Sequence, residues 1–489
     1  MRATAVYRNA EIRAAEQKAC SSGIPESVLM ERAGAAALET LNTCFPKAES
    51  IAIFCGAGNN AGDGYVLARL LHERHIPVTV FALKAPEDLP ETARMAALKA
   101  LQRGVAVREF EDAEEMEASL VVDALLGTGL RDAPSGLFAQ AISLINTHAR
   151  PVLALDIPSG LAADTGEALG EVVKATVTIS FVAPKLGLYL RDGIDCCGEI
   201  ISDCLNIAHC LDTGARAATL LEASLLQKVL PQRARNTHKG DYGHVLCIGG
   251  GSGMPGSIRM SAEAALRVGA GMVTIATLPE HVNACASLPE AMVHGIDTAQ
   301  DLQPLLARAS VCVLGPGLGT DAWGRALFQA AIASMLPTVV DASALTLLAE
   351  MPQYDDNWIL TPHPGEAARL LGISSMAVQA DRLKALTRLQ QQYGGVIVLK
   401  GARTLVQTPA GDTFLCDAGN PGMASAGMGD VLSGVLGGLL AQGLSLADAA
   451  TSGVMLHATA ADTAARAGGE RGLLARDVIA GLRAGVNAQ

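Results

Sequence analysis

The sequence predicts a protein of the α/β class, built as two consecutive three-layer αβα sandwiches. Three observations predict it. The chain has 489 residues, half of them apolar and 51 of them glycine, which is room for two α/β domains of roughly 200–250 residues each. Short β-rich runs alternate with helical patterns in both halves, as expected for right-handed βαβ crossovers and parallel sheets covered on both faces. Glycine-rich turns follow several strands directly, at the sheet edge where α/β proteins bind ligands.

Residues 8–22 and 26–44 read as two helices ahead of the first strand. Strands are then expected at Ile51–Cys55, Val78–Leu83, Leu120–Asp123, Val152–Asp156 and Thr176–Phe181. Helices are expected between them at Gly64–His75, Pro90–Arg103 and Gly136–Thr147. The alternation lapses over Asn206–Ala234, and the stretch from Pro231 to Gly240 precedes a new strand at His244–Ile248. The domain boundary is therefore expected near residue 215, giving domains 1–214 and 215–489. Further strands are expected near 272–276, 310–314, 338–341, 358–361 and 396–399. A hairpin, Arg403–Gln407 with Thr413–Cys416, turns through Pro409-Ala410-Gly411-Asp412. Helices near 428–442, 445–468 and 475–485 end the chain.

Composition excludes several classes. With 37 Lys+Arg against 49 Asp+Glu, a formal charge of −12 and 3% aromatic residues, the chain lacks the basic footprint and stacking platforms of a general nucleic-acid binder. A local site for an anionic nucleotide stays open, because backbone N–H groups supply positive potential. The opening Met1–Arg8 has no apolar core of signal-peptide length. The most lipid-like run, Val431–Ala441, is about half the roughly twenty residues a membrane span needs. A cytoplasmic protein with no membrane partner is expected. Of the 11 cysteines, most sit in apolar strands as small hydrophobes, and the cluster Cys196, Cys197, Cys204 and Cys210 lacks the C-x-x-C spacing of a zinc site.

In the first half, Cys55-Gly56-Ala57-Gly58-Asn59-Asn60-Ala61-Gly62-Asp63-Gly64 runs from a strand through a glycine-rich turn into a helix. The loose G-x-G-x-x-G/A pattern alone is weak. A Rossmann oxidoreductase would carry an acid at the end of the next strand, and here that strand ends Phe81-Ala82-Leu83-Lys84. Two more strands end in an acid and a glycine loop: Asp123-Ala124-Leu125-Leu126-Gly127-Thr128-Gly129 and Asp156-Ile157-Pro158-Ser159-Gly160. One strand-end Asp is ordinarily a turn cap; three such loops on one sheet edge point to a ligand crevice.

These three loops resemble those of the NAD(P)H-hydrate epimerases, and the resemblance covers about residues 8–210. It implies a Rossmann-like domain whose substrate is NADH or NADPH hydrated at C6 of the nicotinamide ring, as a mixture of epimers. On the matching positions, Asn59, Asn60, Ala61, Gly62 and Asp63, with Gly127, Thr128, Gly129, Leu130, Arg131, Asp132 and Ala133, would cradle the substrate. Asp156 would contact it as the acid/base near C6, and Asn60, Asp123 and Ser159 would hold a potassium ion. C6 bears both hydroxyl and ring nitrogen, so inversion breaks and remakes a bond there, by loss and return of hydroxide or by ring opening; a carboxylate can move the proton either route needs.

In the second half, Gly249-Gly250-Gly251-Ser252-Gly253-Met254-Pro255-Gly256-Ser257, Gly315-Pro316-Gly317-Leu318-Gly319 and Thr361-Pro362-His363-Pro364-Gly365-Glu366 each follow a strand. The most informative stretch is Gly419-Asn420-Pro421-Gly422-Met423-Ala424-Ser425-Ala426-Gly427-Met428-Gly429-Asp430. Small residues let main chain approach a ligand, and a helix beginning at or near Asp430 would aim its first N–H groups at an anion. Asp430 could serve as an N-cap, as a base, or as both.

This stretch is similar to the Gly-x-Gly-Asp element of the ribokinase superfamily. Residues 220–489 resemble its ADP-dependent NAD(P)H-hydrate dehydratase branch, on His238-Lys239-Gly240, the Gly-Pro-Gly-Leu-Gly loop, Thr-Pro-His-Pro-Gly-Glu and Asn-Pro-Gly-Met-Ala. The resemblance implies a ribokinase-like domain in which Ser257, Gly317, His363 and Asp430 contact the hydrated cofactor. Lys400, Gly401, Ala402, Arg403, Thr404 and Gly429 would hold ADP, Asp430 would be the base for phosphoryl transfer, and Glu366 would order Mg²⁺. Two positions depart from the pattern: Ser257 stands where the family usually has Ala, and His363 replaces the Asn of the superfamily's Asn-x-x-Glu. The expected partners are hydrated NADH or NADPH, ADP and further copies of the chain. The alternatives are a ribokinase-superfamily small-molecule kinase with an unrelated first domain, and a nucleotide sensor without turnover.

Overall fold

The computed structural model describes residues 5–111, 116–230 and 232–487. The opening residues 1–4 and Pro231, both used in the sequence reading, lie outside the described residues. The chain divides into two compact units, Met1–Thr219 and Leu220–Gln489, a few residues beyond the expected boundary.

In the first unit, β1 (Ala5–Val6) precedes helices Asn9–Ser21 and Glu26–Cys44. The strands β2 (Ile51–Cys55), β3 (Val78–Ala82), β4 (Ala106–Glu109), β5 (Leu120–Ala124), β6 (Val152–Leu155), β7 (Val177–Phe181) and β8 (Glu199–Asp203) follow. They form one parallel sheet in the order β4-β3-β2-β5-β6-β7-β8. Side chains of β2 alternate between two cores: Ile51, Ile53 and Cys55 pack with the helices Glu26–Cys44 and Asn59–Glu73, whereas Ala52 and Phe54 pack with the helix Leu137–Thr147. That is the three-layer arrangement. The chain leaves β2 toward β3 and β4, then returns to β5 on the other side of β2, so the topology reverses between β2 and β5 and opens a crevice at their carboxyl ends.

Strands β4 and β8 were not expected. Both are sheet edges and largely solvent-facing, so they lack the apolar run that marks a buried strand. The helix expected at Gly64–His75 begins earlier, at Asn59, with Gly58 as its N-cap. Asn59–Asp63 is therefore the opening of a helix, not a loop, and residues three apart such as Asn60 and Asp63 share a face of it.

After β9 (Ala218–Leu220), which runs through the division, the second unit contains β10 (His244–Ile248), β11 (Met272–Thr277), β12 (Met292–Gly295), β13 (Val311–Leu314), β14 (Thr338–Val340), β15 (Trp358–Leu360), β16 (Val396–Leu399), β17 (Leu405–Gln407) and β18 (Thr413–Leu415). Its sheet runs β18-β17-β16-β15-β14-β13-β10-β11-β12. The strands are parallel from β12 through to β16, and the hairpin β17–β18 is antiparallel. The reversal falls between β10 and β13. Edge strand β12, mostly exposed, was again not expected.

The helix Met428–Ala441 is buried along most of its length, and Gly434 and Gly438 let it lie against the helix Pro255–Arg267. A Cβ on Gly434 would collide with the Ser261 backbone. No helix among the described residues is long and apolar enough to cross a membrane.

Two candidate active sites

In the first unit, Asp123 near the end of β5 is fully buried. Its Oδ1 accepts from Ser159 Oγ at 2.6 Å and its Oδ2 from Ser159 N at 2.8 Å. Burial pushes the Asp123 carboxyl up to about 6, against the pull of those bonds. Leu126 ties in the third group: its N donates to Ser159 Oγ at 2.8 Å and its carbonyl accepts from Asn60 Nδ2 at 3.1 Å. Asn60 Oδ1 is buried and receives no donor. The three residues expected to ligate an ion thus surround one backbone position, with an unspent acceptor among them.

Asp156 directly follows β6 and has φ +67°, a left-handed conformation that costs a non-glycine residue about 1–3 kcal/mol. Its Oδ1 accepts from the buried ammonium of Lys185 and from Phe181 N at 3.2 Å. Burial first, then the charges of Asp156 and Glu16, push Asp63 well above the usual carboxylate range. Glu16, on the helix Asn9–Ser21, is raised by burial and by Asp156. Three carboxylates therefore share the field of one ammonium.

The remaining expected residues spread outward. Gly127 lies against Asn60, with an added Cβ 3.4 Å from the Asn60 Cβ. The Thr128 carbonyl accepts from Asn9 Nδ2 at 3.2 Å. Gly129, Arg131, Asp132, Ala133 and Asn59 are exposed, and Leu130 is half-buried. Sequence reasoning missed Lys185, Glu16 and Asn9. Lys185 carried a usable signal, since Ala183-Pro184-Lys185 closely follows β7 at the same sheet edge. Glu16 and Asn9 carried none: they lie on a helix that precedes the sheet.

In the second unit, the helix bearing Asp430 begins at Met428, as the expected span near 428–442 has it, and Gly427 at φ +88° is its N-cap. Asp430 is therefore not the N-cap; it sits in the first turn, and the Ser257 side chain counters part of the effect of burial on its carboxyl. Ser261 Oγ donates to the Asp430 carbonyl at 2.8 Å, fixing the turn. Burial, then the charge of Asp341, pushes the Asp430 carboxyl up to about 6, against the Ser257 bond and Lys400. Gly317, at φ +62°, packs against Ser257, and the loop after β10 is zipped to it: Gly250 N donates to Pro316 O at 3.0 Å and Gly251 N to Gly317 O at 2.6 Å.

Lys400 follows β16 and donates to Asp341 Oδ1 at 2.6 Å, with Glu366 Oε2 at 3.7 Å. Burial alone would depress the ammonium, but Asp341, Glu366 and Asp430 overcome it and raise its pKa. Asp341, directly after β14, is 1% exposed and also accepts from Ser433 Oγ at 2.7 Å. It was missed although it is a strand-end acid like Asp123. A Cβ on Gly429 would lie 3.2 Å from Lys400 Nζ, so the ammonium stands at the helix N-terminus.

His363 caps the helix Pro364–Leu371: its Nδ1 accepts from Gly365 N at 3.0 Å and Glu366 N at 3.3 Å, and Glu366 Oε2 accepts from His363 N at 2.8 Å. The turn Lys400–Thr404 is held from below by Arg382, also missed, which donates to the carbonyls of Ala402 at 2.7 Å and Leu399 at 3.2 Å.

Comparison with known proteins now decides the family. The chain is 49% identical over 486 residues to a bifunctional NAD(P)H-hydrate repair enzyme of Coxiella burnetii, covering 99% of this chain and all of the relative. This chain belongs to the bifunctional NAD(P)H-hydrate repair enzymes. A second family member, from Escherichia coli, is 43% identical over 481 residues, covering 98% of this chain and 93% of its own. Residues 26–187 of this chain match the family model described as YjeF-related protein N-terminus, and residues 245–482 match that of NAD(P)H-hydrate dehydratase. A ribokinase-like superfamily protein from Enterococcus faecalis superposes with a TM-score of 0.52 at 30% identity, over 55% of this chain and 95% of that one.

Proposed function

We propose that the first unit interconverts the R and S epimers of hydrated NADH or NADPH and that the second dehydrates the S epimer at the expense of ADP. The observation that carries the reading is Asp430, in the first turn of a buried helix whose N-terminus Lys400 also faces. That geometry supports a base, an anion hole and a cation within one crevice.

Asp430 takes the proton of the C6 hydroxyl, whose oxygen attacks the β-phosphorus of ADP as AMP departs. The N–H groups of the first turn and Lys400 stabilise the charge that develops. Phosphate then leaves C6, pushed by the ring nitrogen, and loss of a proton from C5 restores the dihydronicotinamide. Ser257, Gly317 and His363 contact the hydrated ring; Lys400–Thr404 and Gly429 hold the nucleotide. The residues present fit a magnesium ion brought with the nucleotide. Glu366, whose Oε2 accepts from His363 N while no described residue donates to its Oε1, is the carboxylate placed to hold the ion, which would neutralise phosphate charge.

In the first unit Asp156 moves the proton at C6 during inversion, with Asn59–Asp63 and Gly127–Ala133 around the substrate. The donor set fits potassium: Asn60 Oδ1 is a buried acceptor without a donor, beside Asp123 and Ser159, all hard oxygens. The ion would supply positive charge to the cradle. The reading also includes a cytoplasmic location, where NADH and NADPH are used, and a homo-oligomer. The deciding experiment incubates the purified protein with hydrated NADH, with and without ADP, and follows both epimers, AMP and phosphate by chromatography. Loss of both epimers only with ADP, with AMP and phosphate formed in equal amounts, is the expected result. A stable phosphorylated product would instead make the second unit a kinase.

A further inference from the structure

Lys185 is 1% exposed, at the end of a segment that leaves β7, and its backbone is pinned on both sides by Tyr7, which donates from N to Pro184 O at 3.0 Å and accepts at O from Leu186 N at 2.9 Å. All three ammonium protons are spent: on Asp156 Oδ1, on Ser180 Oγ at 3.1 Å and on Phe181 O at 3.0 Å. Ser180 Oγ in turn donates to Ala183 O at 3.0 Å, so it can only accept from Lys185. A lysine so committed has no proton to offer a substrate, and it does not face the solvent. Burying an ammonium is costly unless a carboxylate and further acceptors surround it.

The carboxylate is held asymmetrically. Asp156 Oδ1 takes two donors, Lys185 Nζ and Phe181 N, whereas no described residue donates to Oδ2. The Asp156 side chain is 18% exposed against 1% for Lys185, so the open side of the pair is the carboxylate side. Together with its left-handed backbone, Asp156 is fixed at both its Cα and its Oδ1.

We propose that Lys185 is the positioning residue of the epimerase site and that Asp156 Oδ2 is the atom that exchanges the proton at C6. This rests on the reading of Asp156 as the acid/base group. Lys185 anchors Oδ1 from beneath and aims the second oxygen, with its lone pairs unspent, into the crevice. The carboxylates that feel the pair are Glu16 on the helix Asn9–Ser21 and Asp63 on the helix Asn59–Glu73, and Glu16 also feels Arg13 and Glu26. Lys185 is thus the buried cation whose field reaches all three acids, Asp156, Glu16 and Asp63, and it bonds the first of them directly.

The test uses the full chain, the purified R epimer and three variants, with conversion to the S epimer followed by chromatography. Lys185→Met is expected to lower the kcat of epimerisation by ~10²-fold or more, the scale of a misplaced acid/base group, with KM for the R epimer little changed. Lys185→Arg, which keeps charge and several donors, is expected to restore part of kcat. A purely structural lysine would move KM and kcat together and would not be rescued selectively in kcat. Asp156→Asn tests the underlying reading. If it is inactive while Lys185→Met works at the parent rate, Lys185 has no positioning role and the Asp156 assignment stands. If Asp156→Asn also epimerises normally, the acid/base assignment falls, and the proposal with it.

Discussion

Lys400 bonds the buried carboxylate of Asp341 at 2.6 Å while standing directly beside Gly429, the residue before Asp430. An aspartate that touches no expected ligand thereby holds the cation of the dehydratase site in place. Replacing Lys400 by Met removes a charge from the anion hole, so ADP-dependent recovery of dihydronicotinamide absorbance is expected to drop by ~10²–10³-fold in kcat. Asp341→Asn, which loosens the same lysine, should reproduce part of that loss. Parent turnover in both variants would remove the cation from the mechanism.

A carboxylate can take a proton only when ionised, and the Asp430 carboxyl is pushed up to about 6 by burial. Dehydration should therefore rise as pH climbs through about 6 and level off above it, and Asp430→Asn should abolish turnover at every pH. Stability runs the other way. A carboxyl whose folded pKa lies above its unfolded value stabilises the fold most below about 3.8, and that contribution is lost as pH rises through about 6. The asparagine variant should then melt at a higher temperature than the parent at pH 8, with the gap closing toward pH 4. An equal melting temperature at pH 8 would contradict the burial argument.

Asn60 Oδ1 is a buried acceptor without a donor, close to the Asp123–Ser159 pair. Epimerisation of the R form should be faster in potassium than in tetramethylammonium at equal ionic strength. Asp123→Asn should remove that difference, because the set then lacks its charge. Identical rates in both salts for the parent would dismiss the ion.

Arg382 is 6% exposed and braces the turn after β16 through main-chain carbonyls, with no carboxylate partner among the described residues. Arg382→Met should raise KM for ADP by about tenfold, the loss of one or two charged hydrogen bonds, and leave epimerisation untouched. An unchanged KM for ADP would mean the turn is rigid without it.

Asp156→Asn should leave about half of an epimer mixture unrepaired on a timescale shorter than spontaneous inversion, because the second unit accepts only the S form. Chromatography of the residue after ADP is added in excess would show one epimer; complete rapid consumption would count against Asp156.

What could be read in advance follows burial. The strands β2, β5, β10 and β13 are buried on both faces and announce themselves as continuous apolar runs. The loops behind them carried most of the candidate residues. The edge strands β4, β8 and β12 have half their surface in water and leave no such trace. The helix start at Asn59 was misplaced because glycine and asparagine there suit a turn as well as a first helical residue. Asp341 and Lys185 stood at strand ends, where a signal existed; what no stretch of chain gave was their partners, nor those of Arg382 and Glu16. Each works through a neighbour brought close only by folding, and a motif in one stretch of chain cannot encode a partner 59 residues away, as Asp341 is from Lys400.

The capping histidine of the second unit has one further consequence. With Nδ1 committed to two backbone donors, the His363 ring can present only its Nε2 side to a visitor. In the neutral ring that side bears hydrogen, so the protein speaks to its guest there in a single voice, where an amide side chain would have both given and received. Whatever settles opposite must bring a lone pair, as a carboxamide carbonyl or a phosphoryl oxygen does; a molecule turning a bare hydroxyl proton toward it finds no welcome.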